Sequence, residues 1–225
     1  MKKLGLVGGI SWVSTSDYYK FINEGVNKKL GGLHFAECII YSLNFGDIQA
    51  VSWPNAFDLL LHACQCLKKS GVDGIVLCAN TAHLFADELQ EKIQIPIIHI
   101  AEETGKVIRK QGYKKVGLLG TKFTMEMDFY RKKLEEFGLE VIIPAKQETR
   151  DYIQRTVKEE LGIGYINPET KANYLLIVKE LIEQGAEAII MGCTEIPMII
   201  SQQDISVAVF DTTQIHSEAA VAFAL

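Results

Sequence analysis

The segment KKLGLVGG (Lys2–Gly9) returns later in the chain as KKVGLLGT (Lys114–Thr121), and the helical segments after the two copies align too, Asp17-Tyr18-Tyr19 with Asp128-Phe129-Tyr130. Further along, GVDGIVLCANTAH (Gly71–His83) is answered by GAEAIIMGCTEIP (Gly185–Pro197). Each of these precedes an Ile/Val-rich run, IPIIHI in the first half and ISVAVF in the second. A period of about 110 residues is too long for a solenoid unit and matches a small domain. The chain of 225 residues therefore reads as one α/β domain written twice.

Within each copy, short apolar runs alternate with helical patterns. Lys3–Val7, Ala36–Leu43, Gly74–Cys78 and Ile95–Ile100 are strand-like, and so are segments near Lys115–Leu119, Glu140–Pro144, Ala188–Met191 and Val207–Phe210. Between them lie helical stretches such as Asn55–Ser70, Thr81–Ile93, Arg150–Leu161 and Lys171–Gln184. Such alternation predicts parallel sheets joined by right-handed helical crossovers.

Hydrophobic residues make up 48% and charged residues 23% of the chain, as in ordinary globular proteins, and the net charge of −5 gives no electrostatic reason to expect a nucleic-acid partner. No apolar run is long enough to span a bilayer, and Met1-Lys2-Lys3 leads directly into a strand without a signal-peptide cleavage site. The expectation is a cytoplasmic protein with no membrane partner. Five cysteines, an odd number, argue there against a disulfide framework. Cys38, Cys64 and Cys66 read as core or surface residues. Gly8-Gly9 lacks both a G-x-G-x-x-G pattern and a following Gly-Lys-Ser/Thr, so a nucleotide site is not indicated. His83 fits either a site residue or a satisfied helix-start histidine. His99 and His216 read as structural donors, and Trp12 and Trp53 as packing residues.

The repeat sets Cys78 and Cys193 apart. Both fall where a buried strand ends and the next helix begins, the edge at which parallel sheets bind ligands. Helix N-termini favour anions and lower thiol pKa values, so both positions are expected to suit a thiolate. Asn80 and Thr81, of N-cap type, offer donors for a carboxylate, as does the Gly192-Cys193-Thr194-Glu195 turn. Two facing thiols suit inversion of a carbon acid, in which one face loses a proton and the other gains one. Donors on the substrate carboxylate would have to stabilise the carbanion.

With GGISWVST (Gly8–Thr15), CANTAH (Cys78–His83), KKVGLLGT and GCTEIP (Gly192–Pro197), the sequence resembles the aspartate/glutamate racemase superfamily, and within it the aspartate racemase branch, along essentially its whole length. The resemblance implies two pseudo-symmetric domains, each a four-stranded parallel sheet flanked by helices, with the active site in the cleft between them. It implies residues 1–100 plus 208–225 as one domain and 101–207 as the other. It also implies Cys78 and Cys193 as the catalytic pair, with Ser11, Asn80, Thr81 and Thr194 contacting the amino acid. Neither pyridoxal phosphate nor a metal is implied, and a homodimer is. Aspartate is the first expected substrate. Yet the positions where aspartate-selective members carry basic residues align with Gly46 and Asn167 here, leaving Lys158, Lys171, Arg150 or Arg155 as possible substitutes and a broad-specificity racemase as the alternative. A cysteine-dependent isomerase or decarboxylase on the same scaffold, or a zinc site built on Cys78, His83 and Cys193, would be the competing chemistries.

Overall fold

The structure, a computed structural model, describes residues 1–225. The chain forms two compact units, Met1–Ile100 with Thr213–Leu225, and Ala101–Thr212. The first unit runs β1 (Leu4–Gly8), α1 (Trp12–Leu30), β2 (Cys38–Ser42), α2 (Phe45–Val51), α3 (Phe57–Lys69), β3 (Gly74–Leu77), α4 (Ala86–Ile93) and β4 (Ile97–Ile98). The second runs α5 (Ile100–Lys110), β5 (Lys115–Gly120), α6 (Lys122–Glu126), α7 (Asp128–Glu135), β6 (Glu140–Ile142), α8 (Gln147–Glu159), α9 (Pro168–Glu183), β7 (Ala188–Gly192) and β8 (Ala208–Asp211), before α10 (Thr212–Ala224) rejoins the first. No helix is long and apolar enough to cross a membrane.

Each unit holds a four-stranded parallel sheet, ordered β2-β1-β3-β4 in one and β6-β5-β7-β8 in the other. The same strand order in both is what the internal repeat requires. β1, β3 and β7 are buried along their whole length, which explains why their sequences read as unbroken apolar runs rather than alternating ones. Helix α1 shows the complementary logic. Tyr18, Ile22 and Val26, four apart, form its buried stripe, and Lys28 and Lys29 occupy its last turn, where cations suit the helix dipole.

Three expectations are corrected. The return to the first unit comes at Thr213, not at 208, because Ala208–Asp211 pair in register with Ala188–Met191 of β7 and so complete the second sheet. Trp12 is 73% exposed instead of packed, whereas Trp53 is buried. The single helix expected over Thr81–Ile93 is a 3-10 turn (Thr81–Phe85) followed by α4.

The loop between β1 and α1 depends on one glycine. Gly9 has φ +84°, and a Cβ there would lie 2.1 Å from the Leu43 carbonyl oxygen, a backbone atom that cannot swing aside. Gly9→Ala is expected to cost about 2–4 kcal/mol, from the combined strain and overlap, read as a lowered urea midpoint.

Candidate active site

In the first unit, β3 ends at Leu77, and Cys78 extends its ladder by one bond, its N–H donating to the Val7 carbonyl at 2.9 Å. The Cys78 carbonyl in turn accepts from the Ser14 hydroxyl in the first turn of α1, at 3.0 Å. That turn is set by Ser11, the N-cap, whose side chain accepts from the Ser14 N–H at 3.3 Å. Ser11, half-buried, and Cys78 are thus joined through Ser14, which belongs to the same GGISWVST segment as Ser11. The Cys78 thiol is buried and donates one long hydrogen bond, 3.8 Å, to the Val76 carbonyl.

Asn80, Thr81 and His83 come next, all buried. Asn80 does not cap a helix as its residue type suggests: its backbone is already helical (φ −59°, ψ −45°) and its side chain makes no capping bond. The His83 Nδ1–H donates to the Ala79 carbonyl at 3.0 Å, since a carbonyl only accepts, while Nε2 is buried without a hydrogen-bond partner. The ring of His83 lies 4.9 Å from that of His99 and 5.3 Å from that of His216. His216, on α10, donates from Nε2 to the Ile98 carbonyl at 2.7 Å and accepts at Nδ1 from the Tyr18 hydroxyl at 2.8 Å. Burial holds both imidazoles neutral, lowering His83 to about 4 and His216 to about 3. His216 is a structural donor, and His83 belongs to the same buried group.

The second unit repeats the arrangement. Thr121 caps α6 by accepting from the Thr124 N–H at 3.3 Å, as Ser11 does for α1. β7 ends at Gly192 and Cys193 comes directly after it, buried. Glu195 then stands at the start of a 3-10 turn (Ile196–Met198) with helical backbone angles (φ −89°, ψ −22°) and no capping bond, the counterpart of Asn80. Its carboxylate is used otherwise. Oε2 accepts from the Cys193 thiol at 2.9 Å and from the Thr194 hydroxyl at 2.8 Å. With its proton committed, the Thr194 oxygen is left to accept, which suits an ammonium better than a carboxylate.

The thiols are not the low-pKa groups that their place at strand–helix junctions suggests. Burial, reinforced by the nearby Cys38, pushes Cys78 well above the ordinary thiol range. Burial and then the Glu195 carboxylate do the same to Cys193. The turns after both cysteines are 3-10 segments of five and three residues, too short to offset desolvation. Both thiols are protonated at rest.

The residues that could serve a second substrate carboxylate are mostly occupied elsewhere. Gly46 is exposed in the first turn of α2. Asn167 caps α9, accepting from the Glu169 N–H at 3.0 Å. Arg150 is held by Glu126 at 2.8 Å and by the carbonyls of Pro144 and Ala145 at 2.7 and 2.8 Å. Lys171 pairs with Asp204 at 2.8 Å, Arg155 lies over the Tyr152 ring, and Lys158 is exposed. No group of three or more His, Cys, Asp or Glu side chains is placed to hold a metal ion.

Comparison with known proteins agrees with this architecture. The chain aligns with a candidate Asp/Glu racemase from Yersinia pestis at 45% identity and TM-score 0.92, covering 100% of this chain and 99% of that one. An aspartate racemase homologue from Pyrococcus horikoshii OT3 matches at 39% identity and TM-score 0.86, with the same coverage of 100% and 99%. The broad specificity amino-acid racemase RacX of Bacillus subtilis (strain 168) is 28% identical over 93% of this chain and 92% of its own length. Residues 7–220 match the family model described as Asp/Glu/Hydantoin racemase, so the chain belongs to that family of isomerases.

Proposed function

We propose that the protein is a cofactor-independent amino-acid racemase in which Cys78 and Cys193 act as acid and base on opposite faces of the substrate α-carbon. The observation that supports this most is the matched placement of the two thiols. Each is the residue immediately beyond the equivalent strand of its sheet, β3 or β7, and each precedes a 3-10 turn flanked by polar side chains. A decarboxylase with one protonation step would need a single thiol. Asn80, Thr81, Ser11 and Thr194 are the groups assigned to the amino acid's carboxylate and ammonium.

The carbanion formed on deprotonation is the costly species. Donors fixed in a dry environment lower it more than flexible ones, because they do not reorganise during the reaction. Asn80 and Thr81, 4% and 5% exposed, are held in this way. The test is exchange in D2O. Deuterium is expected to enter the α-position of both enantiomers, with loss of optical activity, and racemisation without any deuterium uptake would sink the reading.

Aspartate is the first substrate to assay, but one observation favours broader selectivity. Arg150 and Lys171 are engaged by carboxylates of their own unit, and Gly46 and Asn167 carry no charge. A second substrate carboxylate would then go without a dedicated cation, an arrangement that burial makes costly. In an amino-acid panel, neutral substrates are expected to racemise within about tenfold of aspartate, a difference of about 1.4 kcal/mol in barrier. A preference for aspartate above about 10³-fold would restore the selective reading. We also propose a cytoplasmic homodimer, for which sedimentation equilibrium is the check.

A further inference from the structure

The proposed reaction leaves one cleft of the first unit unused. It lies between α1 and α10, both parts of that unit, and has a volume of about 760 Å³. Ligand sites commonly occupy clefts of roughly 300–1,000 Å³. Gly25 lets the two helices approach, since a Cβ there would lie 2.8 Å from Cγ2 of Val221. Ser217, 1% exposed, lines the cleft, and its hydroxyl has no hydrogen-bond partner. A helical serine can turn its hydroxyl back to the carbonyl four residues earlier, but Ser217 does not. A buried hydroxyl in that state is destabilising until something supplies a partner.

The lining carries both signs of charge. Lys28 and Lys29 stand there without an ion pair, as does Glu218. Glu24, one turn from Lys28, meets Lys20 instead, at 4.0 Å. Two cations and two carboxylates around one buried hydroxyl are the complement of a zwitterion.

We propose that this cleft is a second ligand site, which takes a short peptide by both of its ends. Lys28 and Lys29 receive the carboxylate, Glu24 and Glu218 the ammonium, and Ser217 bonds the peptide group between them. Phe21, half-buried, supplies an apolar wall for a side chain. A free amino acid carries the same two charges, but it has no peptide group for Ser217 and leaves most of the volume empty. The site does not rest on the two-thiol reading, because none of its residues takes part in that reaction. Ser217 directly follows His216, whose ring is bonded to Tyr18 and to the Ile98 carbonyl. A peptide seated here therefore holds the C-terminal helix against α1 and stabilises the unit by mass action.

The test is calorimetric titration of the native protein with the dipeptide leucylalanine. One dipeptide is expected to bind per chain with Kd below about 1 mM, and the melting temperature to rise with its concentration. The double variant Lys28→Glu with Lys29→Glu, changed only at exposed positions, should fold and racemise normally but bind at least about tenfold more weakly. Ser217→Ala should weaken binding about two- to tenfold, the loss of one hydrogen bond, yet melt no lower than the native chain without peptide. A serine with a purely structural role would lower that melting temperature on removal. Cys78→Ala and Cys193→Ala should bind the dipeptide as the native chain does. The proposal is overturned if no binding is seen at about 10 mM dipeptide. It is equally overturned if the lysine variant binds like the native chain, or if N-acetyl-leucylalanine amide, which lacks both charges, binds as well. Free leucine binding as tightly would remove the peptide as the ligand. Loss of binding in either cysteine variant would put the dipeptide at the racemase site and overturn the assignment.

Discussion

Cys78→Ala and Cys193→Ala should each lower racemisation by at least about 10³-fold, because under the proposed two-thiol mechanism each removes the proton-transfer group on its side of the α-carbon. Neither loss can be covered by a neighbour. Around Cys78 the buried polar side chains include Ser14, Asn80 and Thr81, none a base near neutral pH, and His83, whose basicity burial lowers to about 4. At Cys193 the Glu195 carboxylate is engaged by the thiol at 2.9 Å and by the Thr194 hydroxyl at 2.8 Å. Folding is expected to survive both changes. Cys78 packs in a cluster with Leu6, Tyr18 and Val76, and Cys193 in another with Leu119, Met191 and Ile196. Trimming one sulfur from either should cost about 1–2 kcal/mol. Thermal melts of both variants therefore accompany the chiral assay. Retention of full racemase activity by either folded variant would exclude two-base inversion. Absence of racemisation by the native protein itself would favour the one-thiol chemistries, decarboxylation or cis–trans isomerisation.

How far the sequence anticipates the structure depends on the range of the forces involved. The repeat and the buried strands are legible because a fully buried parallel strand leaves a long apolar signature, as in Ala188–Met191. The position of Cys78 and Cys193 derives from the strand ends alone. Helix α2 is not legible: its seven residues bury only Ile48, too few to leave a periodic pattern. Nor is the entry of Ala208–Asp211 into the second sheet, since pairing to β7 is a tertiary fact that short apolar runs do not encode. The protonation of the thiols escapes the sequence for a related reason. A strand–helix junction suggests a lowered pKa, but the outcome depends on desolvation, which only packing reveals. Glu195 stands within the GCTEIP motif, and its alignment with Asn80 is the one signal that the sequence carries for it. Its 2.9 Å approach to sulfur emerges only in the folded chain. The commitment of Arg150 to Glu126 likewise spans 24 residues and has no local trace.

The first unit should also be sharply acid-labile, through the buried imidazoles of His83 and His216. Their pKa values in the folded protein, about 4 and about 3, lie below the 6.5 of a free histidine. Between those values the unfolded chain binds more protons than the folded one, so stability rises with pH there and is lost as pH falls from about 6.5 toward about 4. Each histidine contributes a slope of up to about 1.4 kcal/mol per pH unit across that window. Desolvation is the main cause for both, and the second charge is further opposed by the first, because the rings lie 5.3 Å apart. The bonds that hold His216 also specify its neutral form. Nδ1 accepts the Tyr18 hydroxyl, and a proton placed there would meet a donor unless Tyr18 turned away. Denaturant midpoints measured at pH 7, 6 and 5 should fall steeply in the native protein. In His83→Gln, which keeps a polar side chain but cannot titrate, the fall should be shallower by about one proton's slope, even though its stability at pH 7 is lower. Parallel pH dependence in the two proteins would show that His83 is not the group responsible. Because α10 carries His216 and packs on the sheet that presents Cys78, acid should release the C-terminal helix and silence the enzyme together. Activity and near-ultraviolet circular dichroism are therefore expected to decline over the same pH interval.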